Sequence, residues 1–255
     1  MCRGMEANID LADNDPTNDN PTPGNDVIRG TLGVDMIMAG EGDDIICGRG
    51  GDDIIYGEEG NDTIYGGVGD DMIFGGEDTD TIIGGQGADV IFGNAGSDTL
   101  RGGSGNDTIY AIDDSVGGNT EPNFDPDVEK SEEHLMVGGR GDDILIGSSG
   151  KETMIGSAGN DQLFGLGNES EDPENHDLLS GSRGNDLLCG APPFLLGGGG
   201  DGGMLPPPVA DELYGVSGTD VCIGGAIQGG CESEQLTDFV GFDEFAEIAC
   251  FVGFF

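Results

Sequence analysis

Positive charge is nearly missing from this chain: 8 Lys and Arg stand against 51 Asp and Glu in 255 residues, a net charge of -43. Nucleic-acid binding needs a basic patch that displaces counterions from phosphates, and so few scattered cations cannot build one. Anionic membrane surfaces are disfavoured for the same reason. Trp is absent and aromatics make up 6%, too little for a conventional layered core. No apolar run is long enough for a transmembrane segment. Residues 1–26 lack the basic and apolar regions of an ordinary signal peptide. Catalytic patterns are missing too. His134 and His176 are read as insertion residues outside any H-E-x-x-H motif, and neither C-x-x-C nor G-x-S-x-G occurs. No enzyme is expected. A chain this acidic stays disordered unless its charge is neutralised, and a metal cation is the expected neutraliser.

Gly, in contrast, is abundant at 52 residues, without the every-third-residue spacing of collagen. Asp recurs every nine residues: Asp26, Asp35, Asp44, Asp53, Asp62, Asp71, Asp80, Asp89, Asp98 and Asp107. Two residues after each stands Ile, or Leu100 in one unit, and two before nearly every one stands Gly. Gly66-Gly67-Val68-Gly69-Asp70-Asp71-Met72-Ile73-Phe74 shows the whole unit, positions one to nine. Gly at positions one, two and four permits positive φ and close backbone approach. Positions seven to nine alternate, so the middle aliphatic points inward. One unit buries almost nothing, whereas stacked units share a continuous column of Ile; the expected fold is an all-β solenoid.

These residues resemble the RTX, or hemolysin-type, calcium-binding nonapeptide family, G-G-x-G-x-D-x-U-x. The resemblance covers residues 22–110 without a break and continues in pieces to about 225. It implies a right-handed parallel β-roll with two nonapeptides per turn and several Ca2+ ions between successive turns. The Asp residues then fall into two columns, Asp26, Asp44, Asp62, Asp80 and Asp98 on one side and Asp35, Asp53, Asp71, Asp89 and Asp107 on the other. Neighbours in a column stand about 4.8 Å apart. Their repulsion is about 1 kcal/mol in water and about 3.5 kcal/mol at an effective dielectric of 20. Four gaps give about 4 to 14 kcal/mol per side, comparable with the stability of a whole domain. Oxygen-only ligands suit a hard cation such as calcium.

By that resemblance one ion takes the carbonyls of Gly40 and Gly42 with Asp44, and those of Gly57 and Glu59 with Asp62 from the next turn. The other implied loop ligands are Gly66, Gly67, Gly69, Gly75, Gly84, Gly85, Gly87, Gly102, Gly103 and Gly105, and the later carboxylates are Asp143, Asp161, Asp186 and Asp220. Thr31 and Asp78 depart from the pattern at positions two and four, Asp78 with expected strain, and Glu152 suggests an altered site.

The segmentation expected is an acidic N-terminal segment over 1–21, the uninterrupted roll over 22–110 and an acidic insertion over 111–137. An interrupted roll follows over 138–225, with loop insertions near 168–176 and 191–210, and then a tail over 226–255. Insertions in a solenoid map to loops. The tail carries apolar residues from Leu236 to Phe255, read either as a cap for the open end or, by family resemblance, as a type I secretion signal. Eighteen-residue turns place Met38, Tyr56, Phe74, Phe92 and Tyr110 in one outward row, an apolar face expected to be covered by another copy, a partner or the chain itself. Cys222 and Cys231 are candidates for a disulfide, while a free thiol acting as a small hydrophobe is the plainer reading of the other cysteines.

Two functions remain open. One is a secreted calcium-binding roll that folds on Ca2+ and serves as an extracellular structural, adhesive or self-assembling element. The alternative is the repeat part of a secreted RTX enzyme, such as a protease, lipase or epimerase, whose catalytic domain lies elsewhere.

Overall fold

Each nonapeptide yields one short strand, because positions seven to nine are extended β formers and the Gly-rich half then turns the chain. A computed structural model describes residues 7–11, 21–111, 133–148, 150–165, 177–190, 212–215, 221–223 and 226–229. Among them there is no helix, and every strand pairing is parallel.

The strands alternate between two sheets. The first holds β1 (Ile9–Asp10), β2 (Val27–Arg29), β4 (Ile45–Cys47), β6 (Thr63–Val68), β8 (Thr81–Gln86), β10 (Thr99–Ser104), β12 (Glu133–Arg140), β14 (Lys151–Ala158), β16 (Leu178–Arg183), β18 (Glu212–Tyr214) and β20 (Ala226–Gly229). The second holds β3 (Met36–Glu41), β5 (Ile54–Glu59), β7 (Met72–Glu77), β9 (Val90–Asn94), β11 (Thr108–Tyr110), β13 (Ile144–Ile146), β15 (Gln162–Phe164), β17 (Leu187–Cys189) and β19 (Val221–Ile223). This is the parallel β-solenoid expected from the repeat. Its core is the column of position-eight residues, Ile28 to Leu188, none more than 3% exposed.

All three insertions leave the second sheet and return to the first, between β11 and β12, β15 and β16, and β17 and β18. They therefore lie on one edge, called here the insertion edge. The opposite edge carries six-residue loops from Gly30–Asp35 to Gly181–Asp186 without an insertion. Register survives each interruption: Leu100 pairs Met136, Met154 pairs Leu179 and Leu179 pairs Leu213.

Three expected boundaries shift. The first insertion gives way to strand already at Glu133, because His134 and Met136 continue the inward phase of Asp98 and Leu100. Within the N-terminal segment Ile9 enters the core at 3% exposure, and Arg29 pairs with Asp10, so β1 extends the first sheet. In the tail β20 adds a strand beside β18; the cap or secretion-signal reading from Leu236 onward lies outside the described residues.

On the outer face of the second sheet Tyr56, Phe74, Phe92 and Tyr110 stack with ring centroids 4.8–4.9 Å apart. Met36 and Met38 at the start of this row are 67% and 51% exposed, whereas its continuation through Ile146, Phe164 and Cys189 is buried. Cys47 and Cys189 are disulfide-bonded, which corrects their reading as free thiols. Their outward position nine lets them reach beyond the core column. Cys222 and Cys231 have no described side chain.

Candidate metal centre

The local sequence fixes where each acid points. Position six precedes an outward, inward, outward triplet, so its side chain faces in at the mouth of the turn. Asp26, Asp44, Asp62, Asp80 and Asp98 line the insertion edge, and Asp35, Asp53, Asp71, Asp89, Asp107, Asp143, Asp161 and Asp186 the other. Nearly all are buried, with Asp44 to Asp186 no more than 2% exposed. Each column is also a hydrogen-bond ladder. The N–H of one Asp donates to Oδ1 of the next, as in Asp44 to Asp62 (2.8 Å) and Asp53 to Asp71 (2.9 Å).

The second oxygen is different. Oδ2 of Asp44, Asp53, Asp62, Asp71, Asp80, Asp89, Asp107, Asp143 and Asp161 is buried without a hydrogen-bond partner. Such an oxygen normally costs about 1–3 kcal/mol, and more when charged. Except at Asp44, whose loop has Ala39 at position one, it lies beside the position-one Gly of its own loop, in four loops together with a carbonyl of the next turn. A Cβ on Gly48 would stand 2.5 Å from Asp53 Oδ2 and 2.6 Å from the Gly66 carbonyl; one on Gly66 would meet Asp71 Oδ2 and the Gly84 carbonyl. Gly57 and Gly75 repeat this arrangement around Asp62 and Asp80, and Gly84 and Gly102 stand equally close to Oδ2 of Asp89 and Asp107. Gly40, Gly42, Gly67, Gly69, Gly85, Gly87, Gly103 and Gly105 hold positive φ and form the turn itself. The Glu59 carbonyl accepts the Gly42 N–H at 2.8 Å, while the Glu59 side chain is exposed.

Burial pushes these carboxyls up: Asp53, Asp71, Asp107 and Asp161 to about 6, Asp62, Asp89 and Asp143 to about 7, and Asp80 to about 8. The N–H from the preceding turn opposes the shift in each, and like charge along the column adds to most of them. Asp44 and Glu152 are raised by burial as well. Oxygen donors alone, buried and crowded by like charge, fit a hard divalent cation.

Not every loop is open in this way. In three of them position two carries a hydroxyl that closes the loop on its own acid. Thr22 N–H donates to Asp26 Oδ2 (2.7 Å) and Thr31 N–H to Asp35 Oδ2 (2.6 Å), each reinforced by the threonine hydroxyl. Ser148 Oγ donates to Glu152 Oε1, leaving Oε2 without a hydrogen bond. Asp26 and Asp35, assigned to the metal set with the rest, thus have both carboxylate oxygens satisfied by the amide and hydroxyl of Thr22 and Thr31. Asp78 shows its expected strain at position four, with a φ of 75°.

The insertion-edge column also changes chemistry. His134, expected in an insertion, stands in the Asp column between Asp98 and Glu152. The Asp98 N–H reaches His134 Nδ1 at 3.3 Å, so the imidazole takes over the acceptor role of a carboxylate. Glu152 follows, and its N–H donates to Asp177 Oδ1 at 2.9 Å. Asp177 is a column residue that the metal set omitted. Asp220 lies outside the described residues.

Position five carries a second, outer ladder running the other way. Asn61 N–H donates to Asp43 Oδ1 and Thr79 N–H to Asn61 Oδ1; Asp70, Ala88 and Asn160 continue the pattern elsewhere. The Asn61 backbone and side-chain amides hold the Asp43 carboxyl below its ordinary value, so this exposed acid stays charged.

A family model of the RTX calcium-binding nonapeptide repeat, four copies long, matches residues 22–55, 48–82, 74–109, 135–167 and 174–191. No curated protein and no solved structure gives a match. The matched segments span both the uninterrupted turns and the turns between the insertions, where the cradle recurs at Gly138 and Gly156 beside Asp143 and Asp161. The chain belongs to the RTX calcium-binding nonapeptide repeat family.

Proposed function

We propose that this chain is a secreted β-roll that folds when calcium occupies the open loops and then acts as an extracellular structural, adhesive or self-assembling element. The observation that carries this reading is the row of buried Oδ2 atoms without hydrogen-bond partners, Asp44 to Asp161, all but Asp44 beside a position-one Gly, with a carbonyl of the next turn at Asp53, Asp62, Asp71 and Asp80. Bound calcium would supply the positive charge that these columns lack. The chain's own part is to hold Oδ1 in the amide ladder, to aim Oδ2 into the cradle and to exclude water from both. The disulfide-bonded Cys47 and Cys189 support an oxidising, extracellular setting. The exposed start of the aromatic row, with Met36 and Met38, supports a contact role.

Isothermal titration tests the metal assignment. Several calcium ions per chain should bind with folding, while magnesium, which resists dehydration, should not reproduce the heat. Absence of saturable calcium binding would refute it.

A further inference from the structure

The third position of the repeat ends most of the long strands, exposed in all of these but Ser104 and Ala158, and its charge differs between the two edges. On the insertion edge Glu41, Glu59 and Glu77 stand in register in consecutive turns. Like charges in register oppose pairing, and among the described residues none of the three has an ion pair. On the opposite edge no acid occupies this position from Leu32 to Arg183, and Arg140 and Arg183 do. They align through Ala158, two strand spacings apart. Glu41 and Glu77 are also two spacings apart, so both pairs span about 9.6 Å along the roll.

Each charged row borders apolar surface. Tyr56 and Phe74 share a groove of about 800 Å³ with Glu59 and Glu77. Ile83 and Val137 share one of about 580 Å³ with Arg140. The chain has only 8 Lys and Arg. Of those described, Arg29 and Lys151 are in ion pairs and Arg49 donates to the Gly30 carbonyl, whereas Arg101, which lines the same groove as Arg140, and Arg140 and Arg183 themselves have no ion pair among the described residues.

We infer that the Glu row of one copy docks on the Arg row of a second copy, Glu41 and Glu77 meeting Arg140 and Arg183. This deepens the self-assembling reading proposed above and rests on it. The second copy is the favoured occupant because one chain carries both rows at matched spacing. The contact is heterologous. It offsets neighbouring rolls by the distance from β3 to β12, between four and five strand spacings or about 22 Å. Such a contact leaves a free row at each end and propagates into an open lateral ribbon.

Sedimentation velocity of the full chain in calcium tests this, with circular dichroism confirming that every variant stays folded. Wild type should form an open series of oligomers that shrinks as salt rises. R140E/R183E and E41K/E77K should each weaken association roughly tenfold or more. Mixed together they should recover the open series, because the native Glu–Arg contact and its charge-reversed Lys–Glu counterpart can alternate along the ribbon. A wild type that stops at a closed dimer, or a mixture that stays monomeric, overturns the inference. If both charge variants associate like wild type while Y56T/F74T/F92T does not, the edge contact fails and assembly through the aromatic row survives. A wild type monomeric at every concentration removes both.

Discussion

Along one edge of the roll Asp35, Asp53, Asp71, Asp89, Asp107, Asp143, Asp161 and Asp186 follow one another without substitution, in loops of constant length. Along the other the same six-residue loop is stretched by three insertions, and His134 and Glu152 replace Asp in the column. Both edges bound the same core. The contrast teaches where the solenoid tolerates change: residues can be added before position six, provided an acceptor still receives the amide of the preceding turn. His134 Nδ1 does this at 3.3 Å where Asp143 Oδ1 does it at 2.8 Å. The unbroken edge thus keeps one carboxylate per turn, whereas the insertion edge changes both its loop lengths and its column residues.

The largest test removes the metal from both edges at once. A carboxyl held at about 7 in the roll, such as Asp62 or Asp89, has a pKa of about 3.9 in the unfolded chain. Between those values the folded state binds more protons, so metal-free stability falls as pH rises through this window and is fully present only below about 4. Chelated protein should therefore gain β structure on acidification from pH 8 to pH 4, seen by circular dichroism. A chain that remains coil at pH 4 contradicts the desolvated-carboxyl account.

Next in size is a comparison of single acids. D89A removes an unpartnered Oδ2 and also the acceptor of the Asp71 N–H at 3.0 Å. It should raise the calcium midpoint of folding about fivefold or more, since a buried amide loses its bond at a cost of about 1–3 kcal/mol. E152A on the insertion edge should move that midpoint less, because Ser148 already serves part of this loop. Equal effects would erase the difference between the edges.

Within one loop of the unbroken edge two glycines can be set against each other. A Cβ at Gly48 would collide with Asp53 Oδ2 and the Gly66 carbonyl, whereas one at Gly50 meets nothing closer than 3.6 Å. G48A should abolish one calcium equivalent in a titration and G50A should retain all of them. The smallest effect belongs to T31V, which keeps shape but removes the hydroxyl from Asp35. A loss of about 1 kcal/mol is expected in denaturant unfolding, with no change in calcium stoichiometry.

Much of this was legible in the sequence because the repeat is strict. Nine-residue spacing gave the strands, and the eighteen-residue turn gave the aromatic row that stacks from Tyr56 to Tyr110. What remained hidden depends on neighbours that the repeat averages over. Asp26 and Asp35 look like Asp44 at position six, and only the Thr at position two closes their loops. His134 was masked because the insertion breaks the count of nine; the signal was Met136 two residues on, with Gly138 and Gly139 following. The disulfides at Cys47 and Cys189 had no signal in spacing, since both cysteines share position nine with ordinary strand residues.

The central claim is that the buried, unpartnered carboxylate oxygens are calcium sites coupled to folding. Far-UV circular dichroism during a calcium titration tests it most directly, with magnesium as control and a chelator for reversal. The account expects a coil-to-β transition with calcium alone, undone by the chelator. A β spectrum indifferent to both calcium and chelator would contradict it.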